Sequence, residues 1–346
     1  MRDTLKSGGY DLRDTALGSL LVPRRVEEEF TVISSSTDIP DATSLPDRYD
    51  FSVNLLAHNC CDDLERCIQS VRRHSAGYRI ELVIIDNGST DETMSYLQQL
   101  ARQKNLVGER GEQVAVQVIF ADHNVGFAAG RNATLRASRG RYVMLVDTSI
   151  EVIGNIWEPL EAVLSDLQVG VVGPYGLVTT DLREFYEANG PEVDAIEGYL
   201  MAFRRALLPE IGWNDEKFRF YRLMDIHLSF FFKTSGYRVL ALPRVAALLQ
   251  KHLHREWYSL SEEEQAAKSK KNYDIFRARW HHGQSLLVAN YRPEDHWYGH
   301  DHPRHLEGTH THAPRELPPP GVMHTHNHQH WPDHSHEHLH YHAATP

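Results

Sequence analysis

The chain has 346 residues, is 41% hydrophobic and 24% charged, and carries a formal net charge of −11 with histidine neutral. That apolar content supports a sizeable core, in one large α/β domain with appendages or in two ordinary domains, and excludes bulk disorder. The acidic balance argues against a nucleic-acid partner held by a general positive field, while a local basic groove for a phosphate-bearing ligand remains compatible with it.

Residues 1–50 mix short apolar runs, Leu20 to Val22 and Phe30 to Ile33, with Ser, Asp and Pro, which reads as an N-terminal extension forming a flap or strand pair. From Phe51 the pattern becomes regular. SVNLLAH (52–58), ELVIID (81–86), VAVQVIF (114–120) and RYVMLVD (141–147) are short runs rich in β-branched residues and predict strands. Between them, Asp62 and Glu65 stand at capping-box spacing ahead of Leu64, Cys67, Ile68 and Val71, and Ser89 and Glu92 repeat the arrangement ahead of Met94, Leu97 and Leu100. A third helix is predicted from Gly126 to Ser138, closed by Gly140. Alternating strands and helices imply parallel pairing with right-handed crossovers, hence a Rossmann-like sheet that binds ligands at the carboxyl ends of its strands.

A helix near 155–167 and a strand at Val169 to Val172 continue the pattern, and a mixed region runs to about 245. SEEEQAAKSKKNYDIFRARW (261–280) predicts an amphipathic, charge-rich helix that stops at His281, His282 and Gly283. Order is expected to end near Arg292. The tail from Pro293 holds 15 of the 23 histidines, as His-x-His pairs among polar residues. It cannot bury a core, so it reads as disordered, with the chemistry of an adaptable chelator for zinc, nickel or copper. The three cysteines, Cys60, Cys61 and Cys67, crowd into eight positions and read as reduced thiols. No run approaches the roughly 18 apolar residues of a membrane span, and the first residues lack a signal core, so a cytoplasmic location is expected.

Four polar residues fall at the ends of the predicted strands: Asn59, Asp86, Asn124 and Asp147. Clustering them on one edge is costly unless a ligand or metal satisfies them. Asp86 opens DNGSTDET, where Asn87 and Gly88 permit a tight turn. DHNVGFAAGRN (122–132) places Gly126, Gly130, Arg131 and Asn132 at a helix start, a setting that favours a diphosphate. Neither GxGxxG nor GxxxxGK[ST] occurs, which removes dinucleotide-binding dehydrogenases and P-loop enzymes.

Taken together, SVNLLAHNCCDDLERCIQSV, ELVIIDNGSTDET, DHNVGFAAGRNATLRASRGRYVMLVDTSIEV and EGYLMAFRRALL resemble family 2 glycosyltransferases of the GT-A fold, over about residues 51–255. The resemblance implies a nucleotide-sugar-binding half (51–150) and an acceptor half (151–255); the helical segment (256–292) and the tail (293–346) read from the sequence pattern follow. It implies a nucleotide-diphosphate sugar donor, a hydroxyl-bearing acceptor and a Mg²⁺ or Mn²⁺ ion. The acceptor it implies is a glycan, a small molecule or a lipid-linked compound reached from the membrane surface.

The Asp-x-Asp motif of such enzymes corresponds here to Asp147, Thr148 and Ser149, so a hydroxyl replaces the second carboxylate and weakens the cation site. Glu151 lies two residues on, and His252 or His254 of KHLHREW is placed to complete the site, with Lys251 and Arg255 beside them. In KFRFYRLMDIHLSFFF, Met224 stands at the usual first carboxylate of an acidic pair and Asp225 at the second, which makes Asp225 the expected base of an inverting transfer. His227 replaces a further acid. Ser149 and Met224 motivate one rival, an impaired sugar-nucleotide-binding protein, and the His-rich tail motivates another, a metal-handling protein that works through that tail.

Overall fold

The structure, a computed structural model, describes residues 30–253 and 260–290, together with the backbone of two further strands. In chain order, β1 (Thr31–Ile33) is followed by β2 (Tyr49–Ala57), α1 (Cys61–Arg73), β3 (Ile80–Asp86), α2 (Glu92–Gln103), β4 (Asn105–Val107), β5 (Gln113–Ala121), α3 (Phe127–Ala137) and β6 (Gly140–Val146). Next come β7 (Ile150–Val152), α4 (Trp157–Leu164), β8 (Val169–Gly173), the short β9 (Gly176–Val178), β10 (Tyr186–Ala188) and β11 (Ala195–Ile196), then β12 (Leu200–Arg204) and α5 (Met224–Thr234). β13 (Arg238–Ala241), β14 (Leu249–Lys251) and α6 (Glu262–Trp280) complete the body.

The central sheet runs β1-β5-β3-β2-β6-β12-β8-β13, with β4 paired to β5. Most neighbours are parallel, and β12 runs antiparallel to both β6 and β8. The chain builds outward from β2 through β3 to β5, then returns to the other side of β2 as β6. The strand order therefore reverses between β2 and β6, and at such a reversal the helices diverge and leave a crevice beyond the carboxyl ends of the strands.

Period-two alternation decides which face each residue serves. Leu82 and Ile84 of β3 join the cluster formed with α1, α2 and α4, including Leu64, Ile68, Leu97 and Trp157. Val83 and Ile85 point to the opposite face, against Val125, Ala129 and Ala133 of the α3 region. Phe230 and Phe232 of α5 are fully buried, and Phe276 and Trp280 bring α6 onto them.

Some details differ from the sequence reading. β1 adds in parallel to the edge strand β5, with Ile33 opposite Ala121, so this part of the extension is neither a flap nor a self-contained pair. Leu20 to Val22 lie outside the described residues. α1 starts at Cys60 without a side-chain cap, leaving Asp62 inside the first turn, where the helix dipole favours an acid. α2 is capped by Asp91, whose carboxylate accepts the Thr93 N–H at 3.0 Å, because Ser89 is occupied in the turn after β3. Ser138 ends α3, and Gly140 instead opens β6, where a Cβ would sit 2.4 Å from the Ser52 backbone nitrogen. In the tail, Met323–His330 (β15) and His334–Tyr341 (β16) pair antiparallel. The His-x-His alternation has a strand's period, and such pairing needs only backbone hydrogen bonds.

One buried ion pair holds the body together. Lys233 of α5 donates to Asp194 Oδ1 at 3.0 Å and to the Leu286 carbonyl at 2.7 Å, and Asp194 also accepts the backbone N–H groups of Thr179 and Val288. Both side chains are essentially inaccessible, and burial lowers the Lys233 pKa while Asp194 opposes that shift. Lys233→Met leaves Asp194 charged and unpaired in the interior. The expected cost is about 3–5 kcal/mol, read in thermal denaturation as a melting temperature lower by roughly 10 °C.

Candidate functional site

The turns after β2, β3, β5 and β6 converge at the reversal point. Asn59 adopts a left-handed backbone (φ 50°), its N–H donates to Ser89 Oγ at 3.0 Å, and its side-chain oxygen accepts the Thr90 N–H at 2.7 Å. Asn87 accepts the Val125 N–H at 3.0 Å and donates to Asn124 Oδ1, which in turn accepts the Gly126 N–H. The loops are thus cross-linked by amides. Gly88 is required where it stands: its φ is +74°, and a Cβ would lie 2.8 Å from the backbone at both His123 and Asn124.

A narrow polar crevice results, lined by Asn59, Asn87, Asn124, Asp147 and Arg131, with Arg219 across from them. Other predicted donor residues serve from behind. Asp86 is 1% exposed and accepts the Ser89 N–H at 3.1 Å; burial raises its pKa, partly offset by the Ser89 hydrogen bonds. Gly126 starts α3 with φ +100°. Gly130 packs under Leu56, and Asn132 is buried against the backbone of Asn214 and the side chain of Glu216.

Arg131 also departs from expectation. Its guanidinium donates from Nη1 to the Asn54 carbonyl at 2.7 Å and from Nη2 to the Val146 carbonyl at 2.9 Å, so both terminal nitrogens are engaged within the sheet. Burial lowers its pKa to about 10, opposed by the nearby Asp147 charge. The exposed guanidinium on the crevice belongs to Arg219, anchored by the Asn124 carbonyl at 2.9 Å. Sequence reasoning missed it because nothing in FRFYRL signals which cation faces the strand ends.

Asp147 follows β6 and sits where the crevice meets a second cavity of about 600 Å³. Its Oδ1 accepts the Ser149 N–H at 2.9 Å and the Ser149 hydroxyl at 2.5 Å. Ser149 is buried and orients this carboxylate rather than presenting an open ligand. His252 lies beside the same turn, its N–H on the Ser149 carbonyl, but its ring Nε2 is 2.8 Å from Glu151 Oε2, which engages both side chains proposed to complete a cation site. His254 and Arg255 are outside the described residues. Among the described residues no three His, Cys, Asp or Glu side chains form a metal-binding group. One fixed carboxylate at a strand end has the chemistry of a ligand to a hard divalent cation. The three thiols are free; burial pushes Cys60 to about 12 and Cys67 upward, which keeps both neutral.

Asp225 occupies the first turn of α5 and opens into the larger cavity, whose apolar wall includes Tyr221, Leu223, Met224 and Ile226. Its Oδ2 accepts the Gly198 N–H at 2.7 Å, and its Oδ1 accepts the N–H of Ile226. Burial raises its pKa, and these hydrogen bonds oppose the shift. His227 is not an acceptor contact: it faces the core, takes the Trp280 indole N–H at 2.8 Å, and burial lowers its pKa to about 3. Phe230 to Phe232 are core, and Trp213 stacks on the Arg136 guanidinium at 4.5 Å.

Residues 52–234 match the family described as glycosyl transferase family 2. The chain belongs to that family. Within family 2, this chain is 33% identical over 97 residues to TuaG of Bacillus subtilis, named as a teichuronic acid biosynthesis glycosyltransferase, covering 28% of this chain and 34% of TuaG. It is 26% identical over 144 residues to the succinoglycan biosynthesis protein ExoO of Rhizobium meliloti, covering 40% and 38% of the two chains. The chain thus spans little more than a third of the length of these curated relatives. Among solved structures, the mannosyltransferase PcManGT of Pyrobaculum calidifontis, in complex with GDP-Man and Mn²⁺, aligns with a TM-score of 0.49 at 20% identity over 78% of each chain. Among the described residues, no helix of this family 2 chain is long and apolar enough to cross a membrane.

The turn at Gly88 gives a direct test of how the crevice is held. Gly88→Ala combines a left-handed backbone, costing about 1–2 kcal/mol for an L-residue, with a backbone clash at Asn124. A lower melting temperature is expected, and an unchanged one would show that the turn adapts.

Proposed function

We propose that this protein is an inverting glycosyltransferase that moves a sugar from a nucleoside-diphosphate sugar to an acceptor hydroxyl. The observation that carries the reading is that Asp147, at a strand end, and Asp225, at a helix start, line one cavity of about 600 Å³. Family membership supports sugar transfer, as does the name of the TuaG relative.

The donor lies along the strand ends. Asn59 and Asn124 offer amide groups to its nucleoside, with Asn87 positioning Asn124 from behind, and Arg219 offers charge to its diphosphate. Asp147 would hold a divalent cation, Mg²⁺ or Mn²⁺, which would supply positive charge to the leaving diphosphate. The acceptor enters the larger cavity, and Asp225 takes the proton of its hydroxyl as that oxygen attacks the anomeric carbon. Nucleoside diphosphate departs from the opposite face, which inverts the configuration. The apolar wall around Asp225 excludes water and sustains its raised pKa, bringing the base closer to neutral pH.

Incubation with a panel of nucleotide sugars and Mn²⁺ or Mg²⁺ is expected to release nucleoside diphosphate, and release from none of them sinks the reading. Asp225→Asn is expected to lower turnover by roughly 10²–10⁴-fold, the usual contribution of a positioned general base. Chelation of divalent ions is expected to suppress turnover reversibly, and Asp147→Asn to raise the ion concentration needed for half-maximal rate. Because the base works ionised, activity falls as pH drops through its raised pKa. The acid limb of the pH profile should therefore lie above the ordinary aspartate value of about 3.9 and vanish in Asp225→Asn.

A further inference from the structure

The cavity shared by Asp147 and Asp225 contains a third carboxylate. Glu197 lies directly before Gly198, whose N–H is the donor to Asp225 Oδ2, so one residue and one hydrogen bond separate the two acids along the wall. Its Oε2 is buried and has no hydrogen-bond partner among the described residues. The nearest cation, Lys251, stands 3.8 Å from that oxygen, beyond hydrogen-bond reach. Lys251 is held there by the rings of Tyr175 and Tyr199, with its Nζ 4.0 and 4.3 Å from their centroids.

The arrangement has the character of a prepared acceptor. A buried carboxylate oxygen without a donor is unfavourable unless something that enters the cavity supplies one. Lys251 favours the charged form from a distance without filling the oxygen's bonding position, while burial and the neighbouring Asp225 charge act against ionisation. Met224 is apolar and carries no compensating acid, so the two carboxylates on the wall beside α5 come from different elements: Asp225 from the helix, Glu197 from the turn before β12.

We propose that Glu197 binds the acceptor by taking a hydrogen bond from the hydroxyl adjacent to the one deprotonated by Asp225, so that the acceptor is a vicinal diol such as a pyranose ring presents. This rests on the sugar-transfer reading and adds the class of acceptor to it. Glu197 is a binding residue, and the proton transfer remains with Asp225. A lone hydroxyl, as on a serine side chain or a simple alcohol, satisfies only one of the two carboxylates and is a poorer acceptor.

The test uses the full-length protein, the donor that it turns over, and methyl glucoside, galactoside and mannoside with their monodeoxy analogues. In the parent protein, at least one glycoside is expected to stimulate nucleoside diphosphate release, and deleting the hydroxyl next to the reacting one is expected to raise its KM roughly ten- to hundredfold. Glu197→Gln should raise the KM of the intact glycoside similarly, with the larger effect on KM than on kcat. The variant should then no longer distinguish the intact glycoside from that deoxy analogue. The substitution is nearly isosteric and removes a buried charge, so its melting temperature should equal or exceed the parent's. The deoxy comparison in the parent needs no variant. Equal KM for glycoside and deoxy analogue in the parent, or full discrimination retained in Glu197→Gln, overturns the proposal. So does loss of kcat rather than binding in Glu197→Gln, which would make Glu197 the base. Absence of donor turnover in the parent instead overturns the sugar-transfer reading on which the proposal rests.

Discussion

A guanidinium buried between two strands underlies the geometry of the site. Arg131 reaches from α3 into the sheet and ties the carbonyls of Asn54 on β2 and Val146 on β6, the neighbours between which the strand order reverses. A buried cation is tolerated only with hydrogen bonds and a compensating charge. The two carbonyls supply the first, and Asp147 supplies the second. Asp147 thus both offsets the buried Arg131 charge and lines the crevice at the strand end. The N-terminus of α3, the amide-linked turns and the crevice they form are all arranged around that junction.

The segment from Arg219 to Ile226 has a comparable role between the crevice and the larger cavity. Arg219, Phe220 and Tyr221 face the narrow crevice, while Tyr221 through Ile226 wall the larger cavity. Leu223 enters α5 with a left-handed backbone at φ 67°, a strained geometry that persists only when its surroundings impose it. Asn272 of α6 helps to impose it: its side-chain amide donates to the carbonyls of Phe220 at 2.8 Å and Arg222 at 2.6 Å. The helix beyond the matched family region thus braces the loop that leads into the proposed base, and through Lys270 and Tyr273 it also forms part of the cavity wall.

Much of this was legible in the linear sequence because it follows from local rules. Apolar runs rich in β-branched residues gave β2, β3, β5 and β6 nearly at their observed limits, and strand ends in a parallel sheet share one edge. Asn59, Asn124 and Asp147 could be grouped on that basis alone. The same logic failed for Asp86, Gly130, Arg131 and Asn132. Motif position says that a residue is near the edge, whereas its rotamer and hydrogen bonds decide whether it faces the ligand or the interior. His227 shows the same limit, since burial against Trp280 depends on a helix more than 50 residues away.

The sequence by itself determined the order of strands and helices, the reduced state of the thiols, the family resemblance and the presence of an acid at the start of α5. These depend on periodicity, turn chemistry and residue type within short windows. Only the tertiary structure decided that Arg219 rather than Arg131 is exposed on the crevice, that Ser149 and Glu151 are engaged by Asp147 and His252, and that Glu197 shares a cavity with Asp225. Each of those outcomes depends on which distant segment fills the space beside a side chain, and long-range packing sets that rather than any pattern along the chain.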